Sequence, residues 1–447
     1  MFGSDKELNK WLAHLIKIHP KEISLGLHRI RRVAERLNLS IKNDQVRLKS
    51  KVIVVAGTNG KGSVCAILEK ILIEAGYSNS IYTSPHILKF EERLRINGKV
   101  CTSGEWIDAF EMVERARLLT PIEKLTFFES STLAAFLIVQ SKKPEIAIFE
   151  VGLGGRLDAV NLLANDCSII TSISLDHQIF LGTRRGQIGW EKAHIARSDT
   201  PIIIGDNNPP KELMDFVNKI GAKISRFGVD FDFKANSGQW DWISGKKNRL
   251  GLAYPSLRGV HQLVNASVAL ATLEKISDNF PVSQGDVRKG LATVELPARF
   301  QVLPGRPTVI LDVAHNPEAA KMLSQNLDKI GFYPKTIAVV GILADKDATE
   351  IFRKVYKKID SWYFVTLNDD SMSSRIRTAQ SLSKSLLLLD PSAEFKCFNN
   401  PTEAFNAASE SVSPNDRIVV FGSFITVAEV WIQAHRLGKL QISNYSE

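Results

Sequence analysis

The sequence predicts an α/β protein made of two doubly wound parallel sheets, each in its own domain. From Lys51 onward, apolar runs typical of buried strands alternate with longer patterns typical of amphipathic helices. The chain has 447 residues, which is more than one hydrophobic core usually serves. Residues 296–307, LPARFQVLPGRP, interrupt the alternation with three prolines and a glycine, and a second α/β series follows. We therefore expect one domain at 1–297, a smaller one at 298–447 and a hinge near residue 298.

Nine apolar runs are predicted to be buried strands, because they are short, rich in β-branched residues and bounded by turn residues. They lie at 52–57, 79–84, 146–152, 168–174, 201–206, 308–316, 336–343, 362–367 and 417–424. Two of the helical patterns between them lie at 63–75 and 131–141. Since ligands bind at the carboxyl ends of the strands in such sheets, we expect the functional residues at these strand ends.

The composition is that of an ordinary globular protein and argues against several other classes. Hydrophobic residues make up 44% of the chain and charged residues 23%. No apolar run reaches the roughly 18 to 20 residues of a membrane span, and the N-terminal residues lack the charged-then-apolar order of a secretory signal. The four cysteines are widely spaced and form no CxxC pair; they are Cys65, Cys101, Cys167 and Cys397. Their spacing argues against a zinc site or a disulfide framework and favours a protein of the reducing cytoplasm.

The net charge of +9 does not come from a tract typical of nucleic-acid binding. No dense run of lysine and arginine with interleaved aromatic residues is present in the sequence. The most basic stretch, HRIRRVAER at 28–36, places Ile30, Val33 and Ala34 at helical spacing between its arginines, which predicts the solvated face of an amphipathic helix. The basic excess suits small polyanionic substrates, and we expect neither nucleic acid nor a membrane as a partner.

A glycine-rich turn at 57–63, GTNGKGS, has the composition of a phosphate-binding loop. It follows a predicted strand and opens a helix in which apolar residues recur at helical spacing. Glycines let consecutive backbone N–H groups surround an anion, which the helix N-terminus also attracts. Lys61 is placed to reach the outer phosphates and Ser63 to serve the phosphates or a metal, although Gly62 separates them and departs from the GxxxxGK[ST] spacing. This order of elements favours phosphate binding over an ordinary strand–turn–helix junction. It also predicts that the N-terminal domain is of the P-loop ATPase type and that the domain after it is a Rossmann-like α/β domain.

GTNGKGS in this form resembles the ATP loop of the Mur-ligase superfamily, whose members join a carboxylate to an amine. Further motifs stand in the family's order and narrow the resemblance to folylpolyglutamate synthases, specifically the bifunctional dihydrofolate synthase/folylpolyglutamate synthase family of bacteria. These motifs are TSPHILKFEERLRING (83–98), LTFFESSTLAAF (125–136), FEVGLGGRLDAVN (149–161), SLDHQIFLG (174–182), IGWEKAHI (188–195), HQLVNASVAL (261–270), LPARFQ (296–301) and LDVAHNPEA (311–319). The resemblance extends from about Leu25 to GSFITVAEV near the C-terminus, which is nearly the whole chain.

The resemblance implies an ATP-dependent ligation that needs no protein nucleophile. In this family the γ-phosphoryl group of ATP moves onto a substrate carboxylate, and the amine of glutamate then attacks the acyl phosphate. Magnesium and positive groups neutralise the like charges that meet in the first step. The implied substrates are dihydropteroate, reduced folates and L-glutamate, and the implied cofactors are ATP and two Mg²⁺ ions. We expect a cytoplasmic monomer.

The resemblance also implies a metal site. Ser84, Glu150 and His177 would hold one magnesium ion, and His177 would act in catalysis together with Lys61. Hard oxygen ligands suit magnesium, whereas histidine is a less usual ligand. From the residue alone, His177 is equally a ligand or a capping or core residue.

Lys192, in WEKAHI, corresponds to a lysine that carbon dioxide converts to a carbamate in this family. The negative charge of the carbamate suits a place near the metals, so Lys192 is implied both as a catalytic residue and as a metal ligand. Without the resemblance, it is typical of a surface lysine on a helix.

The resemblance assigns ATP contacts to both domains. Asn265 would contact adenine, whose edge needs the donor and the acceptor of a side-chain amide, although the helical pattern alone indicates an ordinary helix-face asparagine. Arg299, Asp312 and His315 would reach ATP from the second domain, where the planar guanidinium of arginine suits phosphate. The implied nucleotide contacts are Thr58, Asn59, Gly60, Lys61, Gly62, Ser63, Asn265, Arg299, Asp312 and His315.

Pterin recognition is implied at three short stretches. A flat heteroaromatic ring binds aromatic faces and a few polar groups, and core packing is the alternative for Phe127 and Phe128. Since a synthase limited to polyglutamylation does not need these stretches, they favour dihydropteroate as a substrate. They are Leu25-Gly26-Leu27, Thr126-Phe127-Phe128-Glu129 and Leu157-Asp158-Ala159.

Three residues depart from the family's pattern. His194 replaces a small glycine near Lys192 and could crowd a carbamate. Ala298 replaces the glycine of PGRFQ, which we expect to stiffen the hinge slightly and to leave Arg299 in place. Ile425 stands where the family often has histidine.

Two other functions are compatible with parts of this pattern. A cell-wall Mur enzyme shares the ATP loop, but it usually has a uridine-nucleotide domain before the loop, and only 56 residues precede Gly57 here. A nucleotide switch or basic nucleic-acid binder without catalytic activity leaves Glu150, His177, Lys192 and Asp312 unexplained. The sequence therefore favours the glutamate ligase, without deciding whether one or both of its activities are present.

Overall fold

The computed structural model of the protein describes residues 2–19, 21, 23–245, 247–259, 261–367 and 375–438. These residues fold into two compact units. The first unit comprises Met1–Ser174, Leu181–Ser256 and Gln262–Glu295, and the second comprises Leu175–Phe180, Leu257–His261 and Leu296–Glu447.

The strands of the first unit form one large sheet and two small ones. In chain order they are β1 (Ile41–Lys42), β2 (Gln45–Val46), β3 (Lys51–Ala56), β4 (Asn79–Tyr82), β5 (Leu94–Ile96), β6 (Lys99–Val100), β7 (Ile146–Glu150), β8 (Cys167–Ile170), β9 (Pro201–Ile204), β10 (Lys223–Arg226), β11 (Phe231–Ala235), β12 (Gln239–Ser244) and β13 (Arg249–Ala253). The eight-stranded sheet has the order β10-β9-β8-β3-β7-β4-β5-β6. Its strands from β10 to β4 pair in parallel, and β5 and β6 add an antiparallel edge.

The helices of the N-terminal 295 residues connect these strands. They are α1 (Phe2–Ile18), α2 (His28–Arg36), α3 (Lys61–Glu74), α4 (Ser103–Arg117), α5 (Phe127–Lys142), α6 (Gln178–Leu181), α7 (Arg185–Ala193), α8 (Lys211–Lys219), α9 (His261–Lys275) and α10 (Gln284–Thr293). The start of α5 shows how local sequence sets these bounds, because Thr126 accepts from the backbone N–H of Glu129 while Glu129 accepts from that of Thr126.

Strand β3 occupies the switch point of the large sheet. It pairs with β7 on one side and with β8 on the other, and the chain reaches these two neighbours in opposite directions. The register sets Val55 beside Glu150 and Ala56 beside Ile170. The turn that follows β3 therefore lies next to the ends of both neighbouring strands, where such sheets bind their ligands.

The second unit is a six-stranded α/β sheet. Its strands are β14 (Gln301–Leu303), β15 (Thr308–Leu311), β16 (Thr336–Val340), β17 (Ser361–Val365), β18 (Phe395–Phe398) and β19 (Arg417–Phe421), and its helices are α11 (Pro317–Lys329), α12 (Ala348–Val355), α13 (Ala379–Leu387), α14 (Pro401–Glu410) and α15 (Phe424–Arg436). The strand order is β14-β15-β19-β16-β17-β18, and only β14 is antiparallel to its neighbour. The apolar faces of these elements form a core of their own.

The structure confirms the predicted α/β fold. Each of the nine predicted runs contains a strand, and each strand ends before the turn residues that closed the run; the run at 308–316, for example, ends as a strand at Leu311. The antiparallel sheet β11-β12-β13 and the edge strands β5 and β6 were not predicted. No helix among the described residues is long and apolar enough to cross a membrane.

The predicted solvated face of α2 is found only in part, since Arg32 is exposed whereas Arg29 and Arg36 are half-buried. Ile30, Val33 and Ala34 are buried as expected. The arginines, however, make tertiary contacts: Arg29 pairs with Glu129 at 3.1 Å, and Arg36 donates to the backbone carbonyl of Pro121 at 2.8 Å. These contacts lie 85 or more residues apart in the chain, so helical periodicity does not reveal them.

Candidate active site

The glycine-rich turn after β3 is held in place by the segment that follows β8. The backbone N–H groups of Thr58 and Asn59 donate to Ser172, at 2.8 Å to its carbonyl and 3.1 Å to its hydroxyl. Thr171 in turn donates to the carbonyl of Asn59 at 2.7 Å. Consecutive amides of this turn are predicted to surround an anion, but those of Thr58 and Asn59 are used within the protein. The amides best placed for phosphate are therefore those of the first turn of α3, Lys61–Ser63, since a helix leaves its first N–H groups without intrahelical partners.

Two glycines of the turn are required by close contacts. A Cβ on Gly57, whose φ is +151°, would lie 1.8 Å from the hydroxyl oxygen of Thr171. A Cβ on Gly60, whose φ is +90°, would lie 2.5 Å from Oδ1 of Asn265. Asn265 is buried and also donates to Gln262 at 2.9 Å. The structure thus places Asn265 against the phosphate loop itself.

Two lysines lie at the carbonyl group of Gly57. Nζ of Lys61 donates to this oxygen at 3.2 Å and to the carbonyl of Thr58 at 3.3 Å. Nζ of Lys192, which is buried on α7, donates to the Gly57 carbonyl at 2.9 Å. Lys192 is therefore not the surface lysine that its helical pattern alone indicates. Two ammonium groups beside a helix N-terminus make this end of β3 strongly attractive to an anion.

The loop that carries the third pterin stretch packs against the backbone of Lys192. A Cβ on Gly155 would lie 2.7 Å from the carbonyl of Glu191, so glycine permits this approach. Asp158 is buried and accepts the backbone N–H groups of Leu153 at 2.8 Å and Val160 at 3.0 Å. Burial raises the pKa of Asp158 to about 7, against the effects of these N–H groups and of the charge of Lys192.

His194 packs away from the Gly57 carbonyl that Lys192 contacts. Its ring stacks on Phe216 with the centroids 4.0 Å apart, and its Nδ1 lies 2.8 Å from the carbonyl of Trp190. The ring is thus held against α7 and α8 by partners of its own.

Ser84 and Glu150 lie together at the carboxyl ends of β4 and β7. The backbone N–H of Ser84 is 3.3 Å from Oε2 of Glu150, and this glutamate is 5% exposed. A buried carboxylate next to a hydroxyl is a suitable pair of hard ligands for magnesium, which usually keeps several waters besides one or two carboxylates. No group of three or more His, Cys, Asp or Glu side chains among the described residues is arranged to hold a metal ion. The chemistry of Ser84 and Glu150 fits a magnesium ion that keeps several of its waters.

The pterin stretches are linked to one another in the first unit. The backbone N–H of Gly26 donates to the carbonyl of Leu157 at 3.2 Å, which joins the first stretch to the third. Arg29, which follows the first stretch, binds Glu129 in the second at 3.1 Å. Leu25 and Leu27 are half-buried and Ala159 is buried. The carboxylate of Glu129 is used by the helix cap and by Arg29, which indicates a role in holding these stretches together.

Phe127 and Phe128 are half-buried, and both pack against the core of the first unit. The ring centroid of Phe127 is 5.8 Å from that of Phe90, and the guanidinium of Arg93 lies 5.2 Å from the Phe127 ring. Core packing therefore accounts for part of each ring, while the remaining surface is available to a ligand.

In the second unit, Asp312 shapes the backbone around Arg299. Its two carboxylate oxygens accept the N–H groups of Phe300 at 2.8 Å and Ala314 at 2.7 Å. Burial raises the pKa of Asp312, opposed by the charge of Arg299. Ala298 has a φ of +57°, in the left-handed region where glycine is favoured, so the departure from PGRFQ adds backbone strain rather than simple stiffness. The guanidinium of Arg299 lies 5.4 Å from the ring of Phe424, beside the half-buried Ile425.

His177 belongs to a charged cluster of the second unit. Asp176 binds Nζ of Lys346, lies 3.5 Å from Nε2 of His315 and accepts from Asn316 at 3.2 Å. Burial opposes the charge of Asp176, but His315, Lys346 and His177 together hold its pKa well below the usual range. Burial and the charge of Lys346 lower the pKa of His177 to about 3, so its ring is neutral at pH 7. Nδ1 of His177 is buried and has no hydrogen-bond partner among the described residues, which leaves a ring nitrogen for a metal.

Several of these residues were missed by the sequence prediction. Asp176 lies within the motif SLDHQIFLG, and Lys346 follows the predicted run 336–343. Each therefore follows a predicted strand, where functional residues are expected. Nothing in the sequence indicates their pairing, which joins residues 170 positions apart. Thr171 and Ser172 lie in the predicted strand run 168–174, but the strand ends at Ile170 and both residues support the loop.

The chain is similar to known proteins in its domains and over nearly its whole length. Residues 55–273 match the Mur ligase middle domain, and residues 298–424 match the Mur ligase, glutamate ligase domain. The dihydrofolate synthase/folylpolyglutamate synthase of Haemophilus influenzae is 37% identical over 95% of this chain and 97% of its own length.

Two solved structures extend this similarity to the fold. E. coli FolC in complex with DHPP and ADP is 36% identical, with a TM-score of 0.87 over 96% of this chain and 98% of that chain. A bifunctional folylpolyglutamate synthase/dihydrofolate synthase with Mn, AMPPNP and L-glutamate bound is 38% identical, with a TM-score of 0.85 over 96% of this chain and 98% of that chain. The phosphate loop, the paired lysines and this similarity over nearly the whole length show that the chain belongs to the dihydrofolate synthase/folylpolyglutamate synthase family of Mur ligases.

Proposed function

We propose that the protein is an ATP-dependent ligase that joins L-glutamate to dihydropteroate, giving dihydrofolate, and to reduced folates, giving polyglutamates. The observation that carries this function is the position of the Lys61 ammonium at the Gly57 and Thr58 carbonyls, beside the N-terminus of α3. Such a site binds the phosphates of a nucleotide. Relatives with the same fold bind ADP or AMPPNP, and one of them binds L-glutamate with Mn.

The reaction proceeds through an acyl phosphate. An oxygen of the substrate carboxylate attacks the γ-phosphorus of ATP, and the bond to the bridging oxygen breaks, which releases ADP. The amine of glutamate then attacks the acyl carbon, phosphate leaves with the oxygen of the former carboxylate, and the amine loses a proton. No step forms a bond to the protein, so the task of the side chains is to position the reactants and to stabilise their charge.

In the first unit, Lys61 and the amides of Gly62 and Ser63 bind the outer phosphates. Thr58, Asn59 and Gly60 form the loop that positions these groups, and Asn265 contributes to nucleotide binding from α9. Ser84, Glu150 and His177 would hold a magnesium ion, which would supply positive charge to the phosphates.

In the second unit, Arg299, Asp312 and His315 serve the nucleotide. The contacts of Asp312 to Phe300 and Ala314 support a role in orienting the backbone that carries Arg299. We assign ATP binding to residues 1–297 and glutamate ligation to residues 298–447, with the hinge near residue 298.

We also propose that Lys192 is carbamylated in the active enzyme. Its burial and its position at the phosphate loop support this, since a modified lysine at the surface would not meet the reactants. His177 and Lys192 complete the catalytic set with Lys61. The pterin stretches at 25–27, 126–129 and 157–159 bind the acceptor. The protein acts as a cytoplasmic monomer on small molecules, without nucleic acid or membrane.

One assay tests this function. Purified protein with ATP, magnesium and L-glutamate is offered dihydropteroate and tetrahydrofolate in parallel, and phosphate release and the glutamylated product are measured. Release with both acceptors establishes both activities, and release with one acceptor assigns the protein to that activity. The control is Lys61→Ala, which we expect to abolish turnover while its thermal unfolding stays close to that of the wild type. Turnover retained in Lys61→Ala contradicts the phosphate-loop assignment.

A further inference from the structure

Arg93 is a buried arginine between the metal candidate Ser84 and the second pterin stretch. It ends the short helical turn Phe90–Arg93, and 8% of its surface is exposed. Its carbonyl accepts the backbone N–H of Thr83 at 2.8 Å, which ties it to the residue before Ser84. Its guanidinium lies 5.3 Å from the ring of Phe90 and 5.2 Å from that of Phe127.

The contacts of this guanidinium are neutral. Nε donates to Nδ1 of His86 at 3.0 Å. Because Nδ1 accepts this hydrogen bond, it carries no proton, and the imidazole is neutral. Tyr82 provides a further neutral contact. Among the described residues, no carboxylate lies within ion-pair distance of Arg93.

Two other arginines of the first unit have carboxylate partners. The buried Arg117 binds Glu114, and the half-buried Arg29 pairs with Glu129. The carboxylate next to Arg93 in the sequence, Glu92, instead accepts the backbone N–H groups of residues 87, 88 and 89. A buried charge without an anionic partner is destabilising, and burial lowers the pKa of Arg93 accordingly. A ligand with a carboxylate would supply the missing anion.

We propose that Arg93 binds the carboxylate of the acceptor substrate, the group that becomes the acyl phosphate. This inference rests on the proposed function and names a residue that determines its substrate class. The planar fork of a guanidinium binds two carboxylate oxygens at once, and Phe127 beside it offers a ring face to the aromatic part of the same molecule. Arg93 thus selects acceptors that combine an aromatic ring with a carboxylate, and it places that carboxylate near the Ser84–Glu150 pair.

The test compares two ligands with Arg93→Met, which removes the charge and keeps much of the volume. The ligands are dihydropteroate and the same molecule without its carboxyl group, and their dissociation constants are measured by calorimetry. We expect Arg93→Met to weaken dihydropteroate by about 10-fold or more, as the loss of a charge-assisted hydrogen bond does, and to change the affinity of the carboxyl-free molecule by less than about 2-fold. If Arg93→Met weakens the binding of both ligands equally, or weakens the binding of neither, the proposal is overturned.

Arg249→Met is the matched control, because Arg249 is 9% exposed and lies in the same unit. We expect it to lower the melting temperature and to leave the ratio of the two dissociation constants unchanged. If Arg93→Met does not fold, Arg93→Gln, which also removes the charge, replaces it, and a ratio of the two dissociation constants equal to that of the wild type overturns the proposal. A wild-type protein that does not bind dihydropteroate refutes the proposed function itself, whereas a wild type that binds it and an unchanged ratio in the variant refute only the role of Arg93.

Discussion

The ammonium group of Lys192 donates a hydrogen bond to the carbonyl oxygen of Gly57 at 2.9 Å, across 135 positions of the chain. This contact joins helix α7 to the phosphate loop. Lys61 donates to the same oxygen at 3.2 Å, so the two lysines share one acceptor. Both side chains are therefore close enough to the loop to influence a nucleotide bound there.

The contact leads to a prediction for Lys192→Ala. Removing the side chain should reduce turnover by about 100-fold or more, because the reaction then lacks a charged group at the phosphates. If the active form is a carbamate, acetate or formate should partly restore turnover by taking the place of its carboxylate. Activity is measured against acid concentration, with Lys61→Ala as a control that we expect acids not to rescue. The absence of rescue at every concentration would show that Lys192 acts as an unmodified ammonium.

Gly57→Ala should damage both the fold and nucleotide binding. The new Cβ would lie 1.8 Å from the Thr171 hydroxyl and in a backbone region unfavourable to alanine, and overpacking of this kind costs about 1–3 kcal/mol. We expect a lower melting temperature and weaker ATP binding by calorimetry. Gly104→Ala, on α4, is the control, since the new Cβ would lie 4.0 Å from the hydroxyl oxygen of Thr102, which is ordinary van der Waals contact. It should be neutral or stabilising by about 0.5–1 kcal/mol; equal behaviour of the two variants would contradict the contact between Gly57 and Thr171.

Position 298 should discriminate sharply between substitutions. Ala298→Gly removes a left-handed strain of about 1–2 kcal/mol, but it also removes a buried methyl group worth about 0.8 kcal/mol. We therefore expect stability within about 1 kcal/mol of the wild type. Ala298→Val adds a β-branched side chain at positive φ in a buried position and should cost at least about 2 kcal/mol. Urea denaturation of the two variants measures these changes. An Ala298→Val variant as stable as the wild type would contradict the left-handed backbone at residue 298.

His261 should make stability depend on pH. Burial, with the charges of Arg299 and Lys329, lowers its pKa to about 4 in the folded protein, against about 6.5 when unfolded. Between these values the unfolded chain binds a proton that the folded chain does not, so stability is complete above about pH 6.5 and falls as the pH decreases. Between pH 7.5 and pH 5, the titration of His261 lowers the free energy of unfolding by about 2 kcal/mol. Melting temperatures of the wild type and of His261→Gln at the two pH values measure it, and we expect a smaller shift in the variant; equal shifts would contradict this role of His261.

The main elements of the fold follow from local sequence, and the supports of the site do not. The strand before Gly57 and the helix from Lys61 are predicted because apolar period and glycine placement act over a few residues. The sheet β11-β12-β13 was missed although its alternation is visible in FDFKA and QWDWIS. Its strands lie between two α/β series, and no glycine–asparagine turn marks the hairpins.

The site shows the same division between local and distant determinants. Residues such as Lys61 and Glu150 were predicted because they stand at strand ends within motifs. Asp176 and Lys346 form their pair across 170 positions, and only the folded chain brings them together. Arg93 was overlooked for a similar reason, since an arginine in ERLRI is typical of a surface residue until its burial is known.

Transfer of a carboxylate oxygen to phosphate tests the central claim most directly. Dihydropteroate labelled with ¹⁸O in its carboxyl group is incubated with the protein, ATP, magnesium and L-glutamate, and the phosphate released is analysed by mass spectrometry. Ligation through an acyl phosphate predicts one ¹⁸O atom in each phosphate formed, because the bond between the acyl carbon and the labelled oxygen breaks when glutamate attacks. Phosphate without label, released together with the glutamylated product, would contradict the account.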